Sequence, residues 1–86
     1  MTDREVLDLI TAAIKRIAPQ KAHALEGADF EQLTLSALGL DSITIMELIA
    51  QIEMATGVMF ADHELVGINR MMELVRLIQL KKGKKA

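Results

Sequence analysis

Apolar residues recur at helical spacing in three separate segments, and this periodicity constrains the fold of the chain more than any other feature. The first segment follows Thr2 and Glu5, which have the spacing of a capping box, and it ends before Pro19. The second runs from residue 41 to about residue 55, and the third begins at Asn69, which is suited to capping a helix. Only two of the 86 residues are aromatic, which favours helices over strands. The sequence therefore predicts an all-α fold.

The stretches between these segments are irregular. Residues 18–40 show little periodicity and contain Gly27 and Gly39, so we expect a long loop there. Apolar side chains should pin this loop to the core at Phe30, Leu33, Leu35 and Leu38. One further helical turn is predicted near Asp62. The expected architecture is a small four-helix bundle with a long first loop and a short third helix, in one domain over residues 1–80. Residues 81–86 contain four lysines and are expected to form a basic, disordered tail.

The composition excludes several classes of protein. The chain has no cysteine, so disulfides, zinc-thiolate sites and thiol nucleophiles are not available to it. No apolar run is long enough to span a membrane, and the first residues lack a secretory pattern, which predicts a cytoplasmic protein. His23 and His63 stand alone, without the spacing of a metal site or a catalytic triad. We therefore expect no catalytic residues, no metal site and no enzymatic activity.

Charge is distributed unevenly along the chain. No Lys or Arg occurs between Lys21 and Arg70, whereas eight acidic residues fall in that interval. A continuous acidic surface would repel a phosphate backbone, so nucleic acid is not an expected partner. The same surface would attract proteins that present Lys or Arg. The central region is therefore predicted to meet basic partners.

The segment at residues 39–43, Gly-Leu-Asp-Ser-Ile, stands between the long loop and the second helical segment. It places Ser42 in the first turn of a helix, where unpaired backbone N–H groups and the positive end of the helix dipole favour a phosphate. Ser42 is thus a chemically suitable attachment point for a phosphodiester. Alternatively, Asp41 only caps the helix and Ser42 has no special role, because both residue types are common at helix starts.

The helix that follows Ser42 is apolar on two sides. At 100° per residue, one face collects the expected core stripe of Ile45, Leu48, Ile49 and Ile52. The opposite face collects Ile43, Met46 and Ala50, accompanied by Glu47 and bordered by Glu53. Both faces cannot be buried in one small bundle. Either the second face packs beneath the long loop, or it is exposed and docks other proteins; its closeness to Ser42 favours docking.

Residues 38–43, Leu-Gly-Leu-Asp-Ser-Ile, resemble the attachment motif of acyl carrier proteins, and the order of helices is similar over nearly the whole chain. The resemblance implies that Ser42 carries a covalent 4′-phosphopantetheine, which a phosphopantetheinyl transferase loads from coenzyme A. Asp41 would help to present this serine. The family's recognition helix would correspond to Ile43, Met46, Glu47, Ala50 and Glu53. The implied protein is a monomeric carrier that holds acyl groups as thioesters and delivers them to acyl-transferring and chain-elongating enzymes with basic docking patches.

The chain also departs from the usual pattern of fatty-acid carriers. Thr44, Gln51, Met54 and Thr56 dilute the acidic residues expected on the recognition helix, and Ala61 stands where a proline is common. These differences favour a specialised carrier for a polyketide or modified acyl pathway over housekeeping fatty-acid synthesis. An alternative function is a small helical adaptor that is never modified and docks one partner through Ile43, Met46 and Ala50. Modification of Ser42 distinguishes the two.

Overall fold

The computed structural model describes residues 2–83, and its regular structure is helical throughout. Five α-helices are present in this range: α1 Asp3–Ile17, α2 Ala22–Leu25, α3 Ser42–Thr56, α4 Asp62–Leu65 and α5 Met71–Gly83. Two short 3₁₀ turns, Pro19–Lys21 and Ser36–Leu38, lie within the long connection between α1 and α3. The predicted all-α fold is confirmed. The structure adds the four-residue helix α2, which the irregular sequence of the loop did not predict.

The first helix begins with the predicted capping box. Thr2 Oγ1 accepts a hydrogen bond from the Glu5 N–H at 3.1 Å, and Glu5 Oε1 accepts one from the Thr2 N–H at 2.8 Å. The helix stops at Ile17, two residues before Pro19, because proline cannot donate the next backbone hydrogen bond. Helix α1 packs against both α3 and α5. It therefore lies at the centre of the bundle.

The core is built from the apolar faces of the three long helices together with side chains from the long loop. Its fully buried large residues are Val6, Ile10, Ile14, Leu48, Ile52, Met71, Leu74, Val75 and Ile78. Of the predicted loop anchors, Leu35 and Leu38 are buried, whereas Phe30 and Leu33 are partly buried. Met54 and Met59 are apolar but largely exposed, because they lie on the outer side of α3 and in the loop after it.

The long loop is joined to the start of α5 by backbone hydrogen bonds. The Leu35 N–H donates to the Asn69 carbonyl at 2.6 Å, and the Met71 N–H donates to the Leu33 carbonyl at 2.9 Å. Helix α5 begins at Met71, so Asn69 lies one residue before the position expected for its N-cap. The Asn69 Oδ1 atom accepts a hydrogen bond from the Ser36 N–H at 3.3 Å and thus joins the start of α5 to the long loop.

The last helix extends beyond the predicted end of the domain at residue 80. It continues through Lys81 and Lys82 to Gly83, and both lysine side chains contact other parts of the fold. The first three residues of the predicted tail are therefore helical, and Lys81 and Lys82 have partners on α4 and at the end of α3. The rest of the predicted tail lies outside the described residues. Within residues 2–83, no helix combines the length and the apolarity needed to cross a bilayer.

Candidate functional site

A tight turn delivers the chain to the start of α3. The 3₁₀ turn Ser36–Leu38 ends at Gly39, whose φ of +72° is a left-handed conformation that glycine adopts without strain. The flanking side chains of Leu38 and Leu40 are both buried, so the turn is fixed to the core on either side of the glycine. A Cβ atom at this position would lie 2.9 Å from the Lys21 ammonium nitrogen, but that atom ends a flexible side chain that can move aside, so the left-handed backbone is the reason for glycine here.

Asp41 is the N-cap of α3. Its Oδ1 atom accepts a hydrogen bond from the Thr44 N–H at 2.7 Å, which satisfies one of the unpaired donors of the first turn. This bond is the main reason that the pKa of Asp41 lies below its ordinary value, and the Ile43 N–H and the positive charge of Lys21 lower the pKa further. The carboxylate therefore stays ionised and holds the start of the helix in place.

Ser42 is the first residue of α3, and its side chain is exposed to solvent. The hydroxyl thus emerges at the helix N-terminus, as the sequence predicted. An anion attached there would lie beside the unpaired N–H groups and the positive end of the helix dipole.

An open cleft of about 570 Å³ begins at Ser42 and runs along α3. One wall comes from α3, and the opposite wall comes from the loop before α4, from α4 itself and from the residues after it. The apolar lining residues are Ile45, Met46, Ile49, Ala50, Phe60, Leu65, Val66 and Ile68. Glu53 and Asp62 contribute the acidic groups at its edge. The serine therefore opens onto a mainly apolar groove.

The two apolar faces of α3 have different environments. Leu48, Ile49 and Ile52 are buried, as the core stripe predicts, whereas Ile45 is only partly buried because it lines the cleft. On the other face, Ile43 is 70% exposed and Met46 is 71% exposed. The second face therefore does not pack beneath the long loop, and this alternative is wrong.

Glu47 and Glu53, the acidic residues predicted beside the second face of α3, differ in their exposure. Glu47 is exposed, next to Met46 and Ala50. Glu53 is partly buried, and its Oε2 atom accepts a hydrogen bond from the Phe60 N–H at 2.9 Å. This carboxylate therefore ties the loop before α4 to α3 and lies at the cleft edge, not on the open surface.

Neither histidine is among the residues that line this cleft. His63 is exposed on α4, and His23 is exposed on α2, where its Nδ1 atom lies 3.6 Å from Glu26 Oε2. Among residues 2–83, no three His, Cys, Asp or Glu side chains are placed to hold a metal ion.

Several residues of the site have no signal in the sequence. The wall opposite α3 comes from a short segment of mixed polarity, in which the apolar residues Phe60, Leu65 and Ile68 have no regular spacing. Lys21 precedes the site by twenty positions, and its approach to Gly39 depends on the path of the long loop. Only the tertiary fold brings these residues to α3.

Comparison with known families agrees with this geometry. The family model described as a phosphopantetheine attachment site matches residues 8–78, so the chain belongs to that family. Its domains carry a covalently attached 4′-phosphopantetheine and act as carriers, in agreement with the resemblance to acyl carrier proteins. No curated protein and no solved structure matches the chain.

The residues at the start of α3 are compatible with this group. A phosphodiester needs an accessible hydroxyl, and Ser42 is exposed at a helix N-terminus that favours an anion. The remainder of the group needs room, which the adjoining open cleft supplies. The chain is therefore a phosphopantetheine-carrying protein whose first α3 residue meets the chemical requirements of the attachment point.

Proposed function

We propose that Ser42 is the attachment residue and that the chain carries acyl groups as thioesters for partner enzymes of fatty-acid, polyketide or related acyl biosynthesis. The observation that carries this proposal is the exposed Ser42 hydroxyl, directly after the Asp41 cap and at the mouth of an apolar cleft. The family match over residues 8–78 supports a carrier over an unmodified adaptor. The departures from the fatty-acid pattern favour a specialised pathway.

Loading requires one group transfer at Ser42. Its oxygen forms a bond to the phosphorus next to the pantetheine of coenzyme A, the hydroxyl loses its proton, and adenosine 3′,5′-bisphosphate leaves with the electrons of the broken P–O bond. Neither His23 nor His63 lines the cleft at Ser42. In this proposal the transferase supplies the base that takes the proton, and the carrier contributes an exposed hydroxyl.

The bound arm supplies a terminal thiol, which this cysteine-free chain lacks. A phosphodiester on Ser42 would lie at the positive end of the α3 dipole, which favours a negative charge. The apolar walls of the cleft present Ile45, Ile49 and Phe60 to a group that enters from Ser42. These surfaces suit a hydrocarbon chain better than a charged or sugar-like group, because a polar cargo would lose its hydrogen bonds to water there.

Partner enzymes are proposed to dock on the exposed face of α3 formed by Ile43, Met46, Glu47 and Ala50, which we call the docking face. Ile43 and Met46 supply a small apolar contact, and Glu47 supplies charge for a basic patch. Met side chains adapt to different surfaces, which suits a carrier that meets several enzymes in turn. Glu53 contributes from the cleft edge.

The experiment that tests this function is incubation with coenzyme A and a phosphopantetheinyl transferase, followed by intact-mass and peptide mass spectrometry. We expect one phosphopantetheinyl group per chain, on the peptide that contains Ser42. Ser42→Ala should remove the modification. Ser36→Ala is the matched control, since Ser36 is the other serine of the chain and is also exposed; it should be modified normally. Modification of Ser36, or none with several transferases, would favour the adaptor.

A further inference from the structure

The cleft wall opposite α3 is held to the end of α5 by one lysine. Lys81 Nζ lies 2.8 Å from Glu64 Oε1 and 5.8 Å from the centre of the Phe60 ring. The side chains of Lys81 and Glu64 are only 24% and 25% exposed, so this ion pair is shielded from solvent far more than an ordinary surface pair. Phe60 lines the cleft, and Glu64 lies on α4, which forms part of the same wall.

The ion pair acts on the first turn of α4. Glu64 Oε1 also accepts a hydrogen bond from the Ala61 N–H at 2.8 Å, which closes this turn. The contact with Lys81, followed by the Ala61 N–H, lowers the pKa of Glu64. Helix α4 has only four residues, and so short a helix is not stable without tertiary contacts. The contact of Lys81 with Glu64 therefore stabilises helix α4.

The other end of the wall is fixed by different contacts. The Phe60 N–H donates to Glu53 Oε2 at 2.9 Å, and Lys82 Nζ donates to the Thr56 carbonyl at 3.1 Å, at the last residue of α3. The first bond holds the loop that precedes α4, and the second joins α5 to the end of α3. Helix α4 is itself joined to the bundle by the packing of Leu65 against the core and by the ion pair of Glu64 with Lys81.

We propose that Lys81 is a positioning residue that sets the width of the cleft beside Ser42. While Lys81 pairs with Glu64, the wall formed by residues 60–66 is held at the distance from α3 that this structure shows. When the pair breaks, residues 61–66 move away from α3 about the Phe60–Glu53 contact, and the cleft widens. We call the Lys81–Glu64 pair the clamp. Its effect on acyl groups in the cleft rests on the proposed carrier function, whereas the clamp itself does not.

Amide hydrogen exchange by NMR on the unmodified protein tests the clamp. Lys81→Met removes the charge but keeps an apolar stem, and Glu64→Gln removes the charge but keeps an oxygen for the Ala61 N–H. Both changes should speed exchange at the Ala61 and Glu64 amides by roughly threefold to tenfold, the effect of losing one shielded ion pair. Lys15→Met, at an exposed position of α1, is the matched control and should change neither amide. Amides in the middle of α5, at Leu74 and Ile78, should exchange at the wild-type rate.

Cleft width is measured separately by electron paramagnetic resonance. Because the chain contains no cysteine, spin labels at Ala50→Cys and Val66→Cys report only the separation of the two walls. Adding Lys81→Met should shift the label separation to longer and broader values, whereas adding Lys15→Met should not.

Three results would overturn the clamp: unchanged exchange in Glu64→Gln, an equal acceleration at Leu74 and Ile78, or an unchanged label separation. The second would reduce Lys81 to a contributor to global stability. None of these measurements needs a modified serine, so their outcome does not depend on whether Ser42 is the attachment residue.

Discussion

Alanine substitutions on opposite faces of α3 should differ sharply in their effect on stability. Ile52 is fully buried, and Ile52→Ala removes three carbon atoms from the core. At about 0.8 kcal/mol for each buried carbon, transfer alone costs about 2.4 kcal/mol, and the cavity left behind raises the loss to about 3–4 kcal/mol. Met46 is 71% exposed, so Met46→Ala should change the free energy of unfolding by no more than about 0.5 kcal/mol.

The expected loss for Ile52→Ala is large relative to the total free energy of unfolding. A domain of this size has a free energy of unfolding of about 4–13 kcal/mol, so Ile52→Ala removes a substantial part of it. Urea denaturation followed by circular dichroism at the helical band measures both variants, and Ile52→Val, with an expected loss of about 0.5–1.5 kcal/mol, provides an intermediate point. The two alanine variants lie on one helix, which limits differences in helix propensity to a few tenths of a kcal/mol.

The comparison can refute the assignment of the two faces. If Met46→Ala costs as much as Ile52→Ala, then the Met46 side chain is part of the core, and the docking face on α3 does not exist. A small loss for Met46→Ala together with faster dissociation from the transferase would support both the exposure of this face and its use in docking.

Other predictions concern charge. Glu47→Lys should slow association with the transferase and weaken the dependence of its rate on salt, as measured by stopped-flow kinetics; an unchanged rate would remove Glu47 from the docking face. Asp41 has a lowered pKa in the folded protein, so its stabilisation is present above the ordinary carboxyl pKa and is lost as pH falls through the folded value. The stability difference between wild type and Asp41→Asn should therefore shrink below about pH 4 in urea titrations, and a constant difference would contradict this. Moderate sodium chloride should raise the melting temperature, because it screens the repulsion among the acidic residues in the middle of the chain. A melting temperature that does not rise would mean that these acids are already paired with Lys or Arg, as Glu64 is with Lys81.

The long helices and the start of the site could be predicted because their signals are local. Capping by Thr2 depends on a residue three positions away, and the end of α3 depends on Gly57, which adopts a φ of +74°. The serine at the start of α3 follows from the same kind of reasoning, since a cap and the first turn involve only neighbouring residues. Periodicity likewise separates the buried Ile52 from the exposed Met46, because a helix presents residues 100° apart.

Periodicity could not decide whether the second face of α3 is covered. That depends on the path of the long loop, which the structure fixes through the bonds of Leu33 and Leu35 to the start of α5. It also could not place the opposite wall of the cleft, because α4 is too short to carry a periodic signal.

Lys81 shows most clearly that a sequence pattern does not reveal contacts between distant residues. In the sequence it is the first of four lysines in a basic run, which is typical of a solvated tail. In the fold its ammonium meets Glu64, seventeen positions earlier, over the ring of Phe60. The amino-acid sequence by itself determined the three long helices, the Asp41 cap and the position of Ser42 in the first turn, because these depend on neighbouring residues. The tertiary structure alone decided the cleft and the contact of Lys81 with Glu64, because they depend on residues far apart in the chain.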